Sequence, residues 1–592
     1  MREQYDILIV GSGIAGSSVA MALARVGITS CVIERETHPR FVIGESTVPS
    51  TTLGYDYLSG AYGIPEFNNM SHYLGLKELG LVGYPKQHFY FGHHTPGQPM
   101  KENEELMYET LQLPMGPDVH VLRSDVDHYL VKQLPSYGVD YFDKTEVIDF
   151  KNLGELVALT VKSPEGTRDI KGRLVVDASG HASYFAKKYG MRDPEPRLKT
   201  KTRSIFGHFE DVPSLEDVVG KSNPAFRFKR HGGTQHHCFE GGWIWVIPFD
   251  NGVTSVGLQL DPDMYPIDES LTPEEELQKH FDRFPTVKAH LGKMKPIRKI
   301  IRTPTRIQFT SKTILGDGFI LTPHAAGFID PLFSTGITLT QSFVSRFVPV
   351  AKKVFAKPGK IDTAAFRNVE IAFMKEVETI DNLVSAVMKS WGHYDTFKQA
   401  WRIWGLGTII QYTARMVGNH SRAEGCTLMF GSAIDPWRQA VKEMNELVMN
   451  NPRGPETAAK LKAMLDKWPH PHNFANYELN SDRSCSIAIE DPGYYFRWLG
   501  WFVSENAIVK EDRSIFRLMH WGARFVFRFL EQRLRYRFGT SAAYKKGFEY
   551  IAAIRTPRAP LPMTATVAPH ELPAVAAAAA SMPRPSQPSP HA

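Results

Sequence analysis

The stretch YDILIVGSGIAGSSVAMALARVGITSCVIER, residues 5–35, leaves the chain few folds to choose from. Its opening apolar run suits a strand buried on both faces of a parallel sheet. Small residues and a helical pattern follow, closing at Gly27, and SCVIER reads as the next strand, which completes one βαβ unit. Gly11, Gly13 and Gly16 spell G-x-G-x-x-G at the strand-to-helix turn, with Ala15 inside the same loop. Gly11 permits the tight turn, Gly13 lets a pyrophosphate approach the backbone, and Gly16 lets helix and strand touch. The helix N-terminus offers free N–H groups and partial positive charge to phosphates. Glu34 ends the second strand, where a carboxylate accepts from ribose hydroxyls. A dinucleotide site is expected.

At 592 residues the chain exceeds what one core usually supports, so two or three units are expected. A net charge of +6 is small for this size and does not describe a nucleic-acid binder. Cys31, Cys238, Cys426 and Cys485 are too scattered for redox pairs or zinc knuckles, and so few cysteines fit a reducing compartment. The N-terminus enters a strand at once, without a cleavable apolar region, and no apolar run reaches about twenty residues. A cytoplasmic protein without a transmembrane segment is expected.

Three further stretches bear on the nucleotide. RFVIGEST carries Arg40, Glu45 and Ser46; VLRSDVDHYL puts Arg123 just before a helix; RLVVDASG puts Asp177 at the end of a late strand. Together they resemble the flavin monooxygenase superfamily typified by para-hydroxybenzoate hydroxylase. The resemblance implies FAD, with these residues among its contacts. The expected fold is α/β: a Rossmann-like FAD-binding domain (1–80, 105–190 and 300–345), an interleaved mixed-sheet substrate domain (81–104 and 191–299), and a mainly helical C-terminal region (346–555). The strands of 140–180 are expected to return to the nucleotide-domain core. The Pro- and Ala-rich residues 556–592 have too little apolar surface to offset chain entropy and are expected to be disordered.

GWIWVIP, residues 242–248, reads on its own as a half-buried strand closed by proline. It also resembles the W-x-W-x-I-P signature of flavin-dependent halogenases. GESTVP at 44–49 and AAGFIDPLFSTGI at 325–337 are similar to two further elements of that family, in family order. The resemblance spans roughly residues 5–345. It implies that reduced FAD, supplied by a separate flavin reductase, reacts with dioxygen to a hydroperoxide. Chloride or bromide then attacks, and the hypohalous acid travels to a lysine beside an electron-rich aromatic. On this reading Trp243, Trp245, Ile247 and Pro248 separate flavin from substrate. Ser334, Thr335 and Gly336 cradle the halide, as backbone N–H groups entering a helix can. Two lysines compete for the catalytic role, Lys77 in LGLKELG and Lys86 in GYPKQHFYFG. Lys86, followed by an aromatic strand with Phe91 five residues on, is favoured.

The chain departs from the family twice. Tryptophan-type members carry a glutamate where Phe333 stands, so a phenol or pyrrole, free or tethered to an acyl or peptidyl carrier protein, fits better than free tryptophan. Pro323 and His324 replace a Gly-Asp pair near the flavin, and Asp330 is retained. His324 and Asp330 complete the expected cofactor set. A flavin monooxygenase hydroxylating an aromatic or polyketide-like substrate is the alternative, and a non-catalytic FAD-binding protein the third reading. Residues 513–538 hold seven arginines and one glutamate among aromatics. They suit a packing helix, a dock for an acidic carrier protein, or membrane-surface contact.

Overall fold

The computed structural model describes residues 4–109, 118–223, 226, 228–416, 429–467 and 484–485. The tail at 556–592 and the arginine-rich segment at 513–538 lie outside the described residues, as does Cys426.

The βαβ unit forms as its sequence dictates. Strand β1 (Ile7–Val10) is wholly buried, helix α1 (Ile14–Arg25) follows, and β2 (Ser30–Ile33) pairs parallel to β1. Buried Gly16, Ser17, Ala20 and Ala22 let α1 lie close to the sheet. Gly11 sits at φ +100°, where a Cβ would fall 2.5 Å from the Ala178 carbonyl oxygen. A Cβ on Gly16 would fall 1.9 Å from the Gly11 oxygen. β7 (Asp140–Phe142), β11 (Leu174–Asp177) and β19 (Phe319–Leu321) extend the parallel sheet, and β18 (Leu315–Gly316) adds an antiparallel edge, giving the order β18-β19-β11-β1-β2-β7.

The strands of 140–180 return apolar side chains to that core, but not all of them join the parallel sheet. β8 (Glu146–Asn152), β9 (Val157–Ser163) and β10 (Gly166–Gly172) make their own three-stranded antiparallel sheet. Their alternating exposed and buried residues need only one covered face, unlike the fully buried β1 and β11.

A larger sheet runs β16 (Lys295–Pro296), β12 (Arg203–Glu210), β15 (Thr254–Leu260), β14 (Gly242–Pro248), β13 (Thr234–Phe239), β4 (His88–His93), β5 (Glu105–Glu109) and β20 (Ser484–Cys485), with β17 (Ile301–Arg302) also on β12. β5 falls in the range expected for the nucleotide domain, yet it is laddered to β4. The chain's double tryptophan is explained by the faces of this sheet. Trp243, Trp245 and Ile247 point into the main core, whereas Ile244 and Val246 pack with Val256 and Leu258 under helices Pro273–Phe281 and Pro285–Leu291. Period-two alternation serves two apolar layers at once.

A short ladder, β3 (Gly83–Lys86) against β6 (Asp118–Val121), stands beside the large sheet. The helices that matter for the site are α2 (Pro49–Tyr62), α3 (Tyr73–Glu78), α4 (Arg123–Gln133), α5 (Pro323–Ala326), α6 (Gly336–Phe355), α7 (Arg367–Ser390) and α8 (Tyr394–Met416). α6 packs on α1 and α2, and α8 packs on α7 and α2. Among the described residues no helix is long and apolar enough to cross a membrane.

Candidate active site

A cavity of about 1380 Å³ opens between the parallel sheet and the tryptophan face of the large sheet. It exceeds the roughly 300–1,000 Å³ of ordinary ligand pockets. Gly11, Gly13, Ala15, Glu34, Arg40, Glu45, Ser46 and Arg123 line it, as do Trp243, Trp245, Ile247, His324, Asp330, Ser334, Thr335 and Gly336. Gly16, Asp177, Pro248 and Lys86 are not in the lining.

At the glycine-turn end, Glu34 accepts from the Ser12 backbone N–H at 3.0 Å and its hydroxyl at 2.8 Å, with Arg40 at 3.5 Å. Burial opposes ionisation of Glu34, but the N–H of Glu36, the Arg40 charge and Ser12 together hold its carboxyl below the usual range. Arg40 keeps a buried Nε with no hydrogen-bond partner among the described residues. Arg123 is clamped by both oxygens of Asp127, at 2.8 and 2.9 Å. Asp177, by contrast, is turned inward to hold the chain: Oδ1 accepts from Ser179 and Oδ2 from the Phe185 N–H at 3.0 Å. It shapes the turn beside Gly11 rather than the lining. A Cβ-free cradle, a helix N-terminus, an acid at the second strand end and an orphaned arginine nitrogen fit a dinucleotide such as FAD.

Where the chain enters the Ser334–Gly336 part of the lining, Phe333 and Ser334 both hold left-handed backbone, at φ +68° and +54°. Such positions cost on the order of 1–3 kcal/mol each and persist only where surroundings impose them. Here the Phe333 ring stacks on Trp404 of α8, centroids 4.4 Å apart. The kink brings Ser334, Thr335 and Gly336 to the N-terminus of the 20-residue helix α6, whose first N–H groups have no intrahelical acceptor. His324 reaches the Gly336 carbonyl at 3.0 Å, and burial, reinforced by Arg123, lowers its pKa, so it stands neutral. Burial pushes Asp330 up to about 7 against bonds from the Leu332 N–H and Thr202 hydroxyl.

The two tryptophans line the cavity side by side. Their ring centroids are 5.8 Å apart, and Trp245 lies over Gly257, its cross-strand partner, where a Cβ would meet the indole at 2.0 Å.

The two lysines part company. Lys77, on α3, donates to the Leu81 carbonyl and pairs with Asp250 at 2.8 Å, outside the cavity lining. Lys86 is fully buried, and its amine donates to the Ser46 hydroxyl at 2.8 Å and the Thr47 carbonyl at 2.7 Å. Ser46 lines the cavity, so the amine stands one hydrogen bond behind the wall. The Phe89 ring lies 3.3 Å from the nitrogen, a cation–π geometry when it is charged. Burial pulls the Lys86 amine well below its ordinary pKa, and Asp118 opposes this. Phe89 then meets Trp404 edge-on at 5.1 Å, which links the lysine by aromatic contact to Phe333 and the kinked loop.

Sequence reasoning missed Thr234, His120, Phe89 and Trp404. Thr234 bonds Ser46 at 2.9 Å and His120 at 2.8 Å. No spacing announces these residues, because four separate elements contribute them.

The tryptophan halogenase family model matches residues 6–72 and 98–402, more than half of the chain. The chain belongs to that family and is a flavin-dependent halogenase, an FAD enzyme of the oxidoreductase type. It is 33% identical to monodechloroaminopyrrolnitrin halogenase PrnC of Pseudomonas fluorescens, over 71% of this chain and 74% of that one. It is 34% identical to tetracycline 7-halogenase of Kitasatospora aureofaciens, over 69% and 74%. The solved structure of halogenase PltM with phloroglucinol and FAD superposes with a TM-score of 0.71 at 25% identity, covering 78% of this chain and 96% of that one. The matched segments leave out 73–97, the stretch with both Lys77 and Lys86.

Proposed function

We propose that the chain halogenates a free, electron-rich aromatic, a phenol in the first instance, with Lys86 relaying the halogen. The relay rests on one observation: the Lys86 amine is sealed from solvent yet bonded to Ser46, which lines the cavity. The phenol class rests on Phe333 in place of an acid, and on relatives whose names specify a tetracycline and whose structure holds phloroglucinol. A carrier-tethered pyrrole remains the variant reading of the same site.

When bound, reduced FAD supplies the oxygen chemistry that turns halide into hypohalous acid. The chain does the rest. Gly11, Gly13, Glu34, Arg40 and Arg123 hold the nucleotide. Ser334, Thr335 and Gly336 hold chloride or bromide at the N-terminus of α6, where backbone amides and the helix dipole favour an anion. Trp243 and Trp245 keep the aromatic substrate away from the flavin. Ser46 and Thr234 mark the polar route from cavity to Lys86. The amine holds the oxidant beside the substrate, and a separate flavin reductase serves the enzyme.

The test supplies the protein with a flavin reductase, NADH and a panel of phenols, pyrroles and indoles, with and without bromide. Brominated phenol by mass spectrometry is the expected result. Oxygenated product independent of halide would replace this reading with a monooxygenase. Bromination confined to carrier-bound pyrroles would replace the free phenol.

A further inference from the structure

Lys86 and Asp118 face each other across the antiparallel β3–β6 ladder. Side chains so paired leave the same face, their Cβ atoms about 4.5–5.5 Å apart. Both residues are closed to solvent, 0% and 1% exposed. Asp118 Oδ1 accepts from the Thr52 hydroxyl at 2.8 Å, whereas Oδ2 is buried with no partner among the described residues. A buried carboxylate left half-bonded is costly unless it meets a cation or takes a proton. Among the described residues, His88 on β4, His120 on β6 and His236 on β13 also lie around the amine. Burial holds all three neutral, so among these groups only Asp118 brings negative charge to the lysine.

Resting on the role given to Lys86 above, we propose that Asp118 is a positioning residue for halogenation, the countercharge that the Lys86 amine faces across the ladder without touching it. The amine donates instead to Ser46 and Thr47, so Asp118 acts on it through its charge rather than through a shared hydrogen bond. A carboxylate one strand away offsets part of the cost of a charged amine in a dry pocket, and so sets how readily that amine holds its proton beside an incoming oxidant. Burial draws the partners together on the pH scale, pushing Asp118 up to about 7 and the amine down.

The full chain, with its lysine ε-carbons labelled, is titrated by NMR, and the Lys86 signal is assigned as the one lost in Lys86→Ala. In Asp118→Asn, which keeps an acceptor for Thr52, the midpoint of that signal is expected to fall by about one pH unit or more, as for the loss of a neighbouring charge. An unchanged midpoint overturns the inference. If Asp118→Asn does not fold, Thr52→Val serves: losing that donor makes Asp118 easier to protonate, so a smaller fall is expected, and no fall overturns the inference. Bromination by Lys86→Ala is read alongside. Wild-type bromination by that variant would sink the relay and this inference with it. Lost bromination with an unmoved midpoint in Asp118→Asn would sink only the role of Asp118.

Discussion

At the scale of single residues, the site is sorted by what each charged group touches. Lys77 and Lys86 stand nine positions apart in sequence, and both carry one formal charge. Lys77 spends its charge on Asp250 with its side chain about a quarter exposed, a pairing worth roughly 0–1 kcal/mol. Lys77→Ala is therefore expected to leave bromination within about two-fold of wild type and to shift the urea midpoint only slightly, read by unfolding curves. A large loss of bromination would mean that Lys77 reaches the substrate. Lys86 was favoured in the sequence for the aromatic strand that follows it, and the structure supplies the physical counterpart. Phe89 of that strand lies under the amine, three positions on rather than the five of Phe91.

At the scale of elements, strand β14 shows why some of the site was legible and some was not. The W-x-W pattern has period two, so both indoles had to share one face of a strand, and they do. The glycine turn was legible from its spacing, although only Gly16 answers a local demand, the Gly11 oxygen, while Gly11 makes room for distant Ala178. What opposes the indoles was not legible, because cross-strand register joins positions far apart in sequence. Gly257 makes room for Trp245, and no local rule marks it. Gly257→Ala is expected to displace that indole and cost about 1–3 kcal/mol, seen as a lower denaturant midpoint with altered tryptophan fluorescence. An unchanged midpoint and spectrum would show that the ring does not lie there. Asp118 escaped notice likewise: its tie to Lys86 exists only through the β3–β6 register. The strands of 146–172 were legible as strands that return to the core, but not that they form a sheet of their own, because alternation reports a covered face without naming strand partners.

For the whole molecule, the many neutral imidazoles inside make stability sensitive to acid. Burial, first among the causes, lowers His88 and His290 to about 4 and His94, His236 and His280 to about 3. A histidine depressed by folding contributes stability that is present above the unfolded pKa near 6.5 and is lost as pH falls toward the folded value. Asp118 and Asp330, raised to about 7, act oppositely: their contribution is complete below the unfolded value near 4 and fades as pH rises to 7. Five histidines against two aspartates leave a net loss on acidification, each group weighing about 1.4 kcal/mol per pH unit in its window. The thermal midpoint is expected to fall steadily from pH 6.5 toward 4, before ordinary exposed carboxylates titrate. A flat midpoint over that range would contradict the neutral, buried state of these rings. The same interior closes Lys86 off from water, and the central claim is that the oxidant acts at the Lys86 amine behind the cavity wall. The direct measurement compares wild type with Lys86→Ala for brominated product per NADH consumed, using bromide and a phenol that the wild type brominates. Unbroken NADH consumption with bromination lost is the expected result. Equal bromination by both would contradict the account.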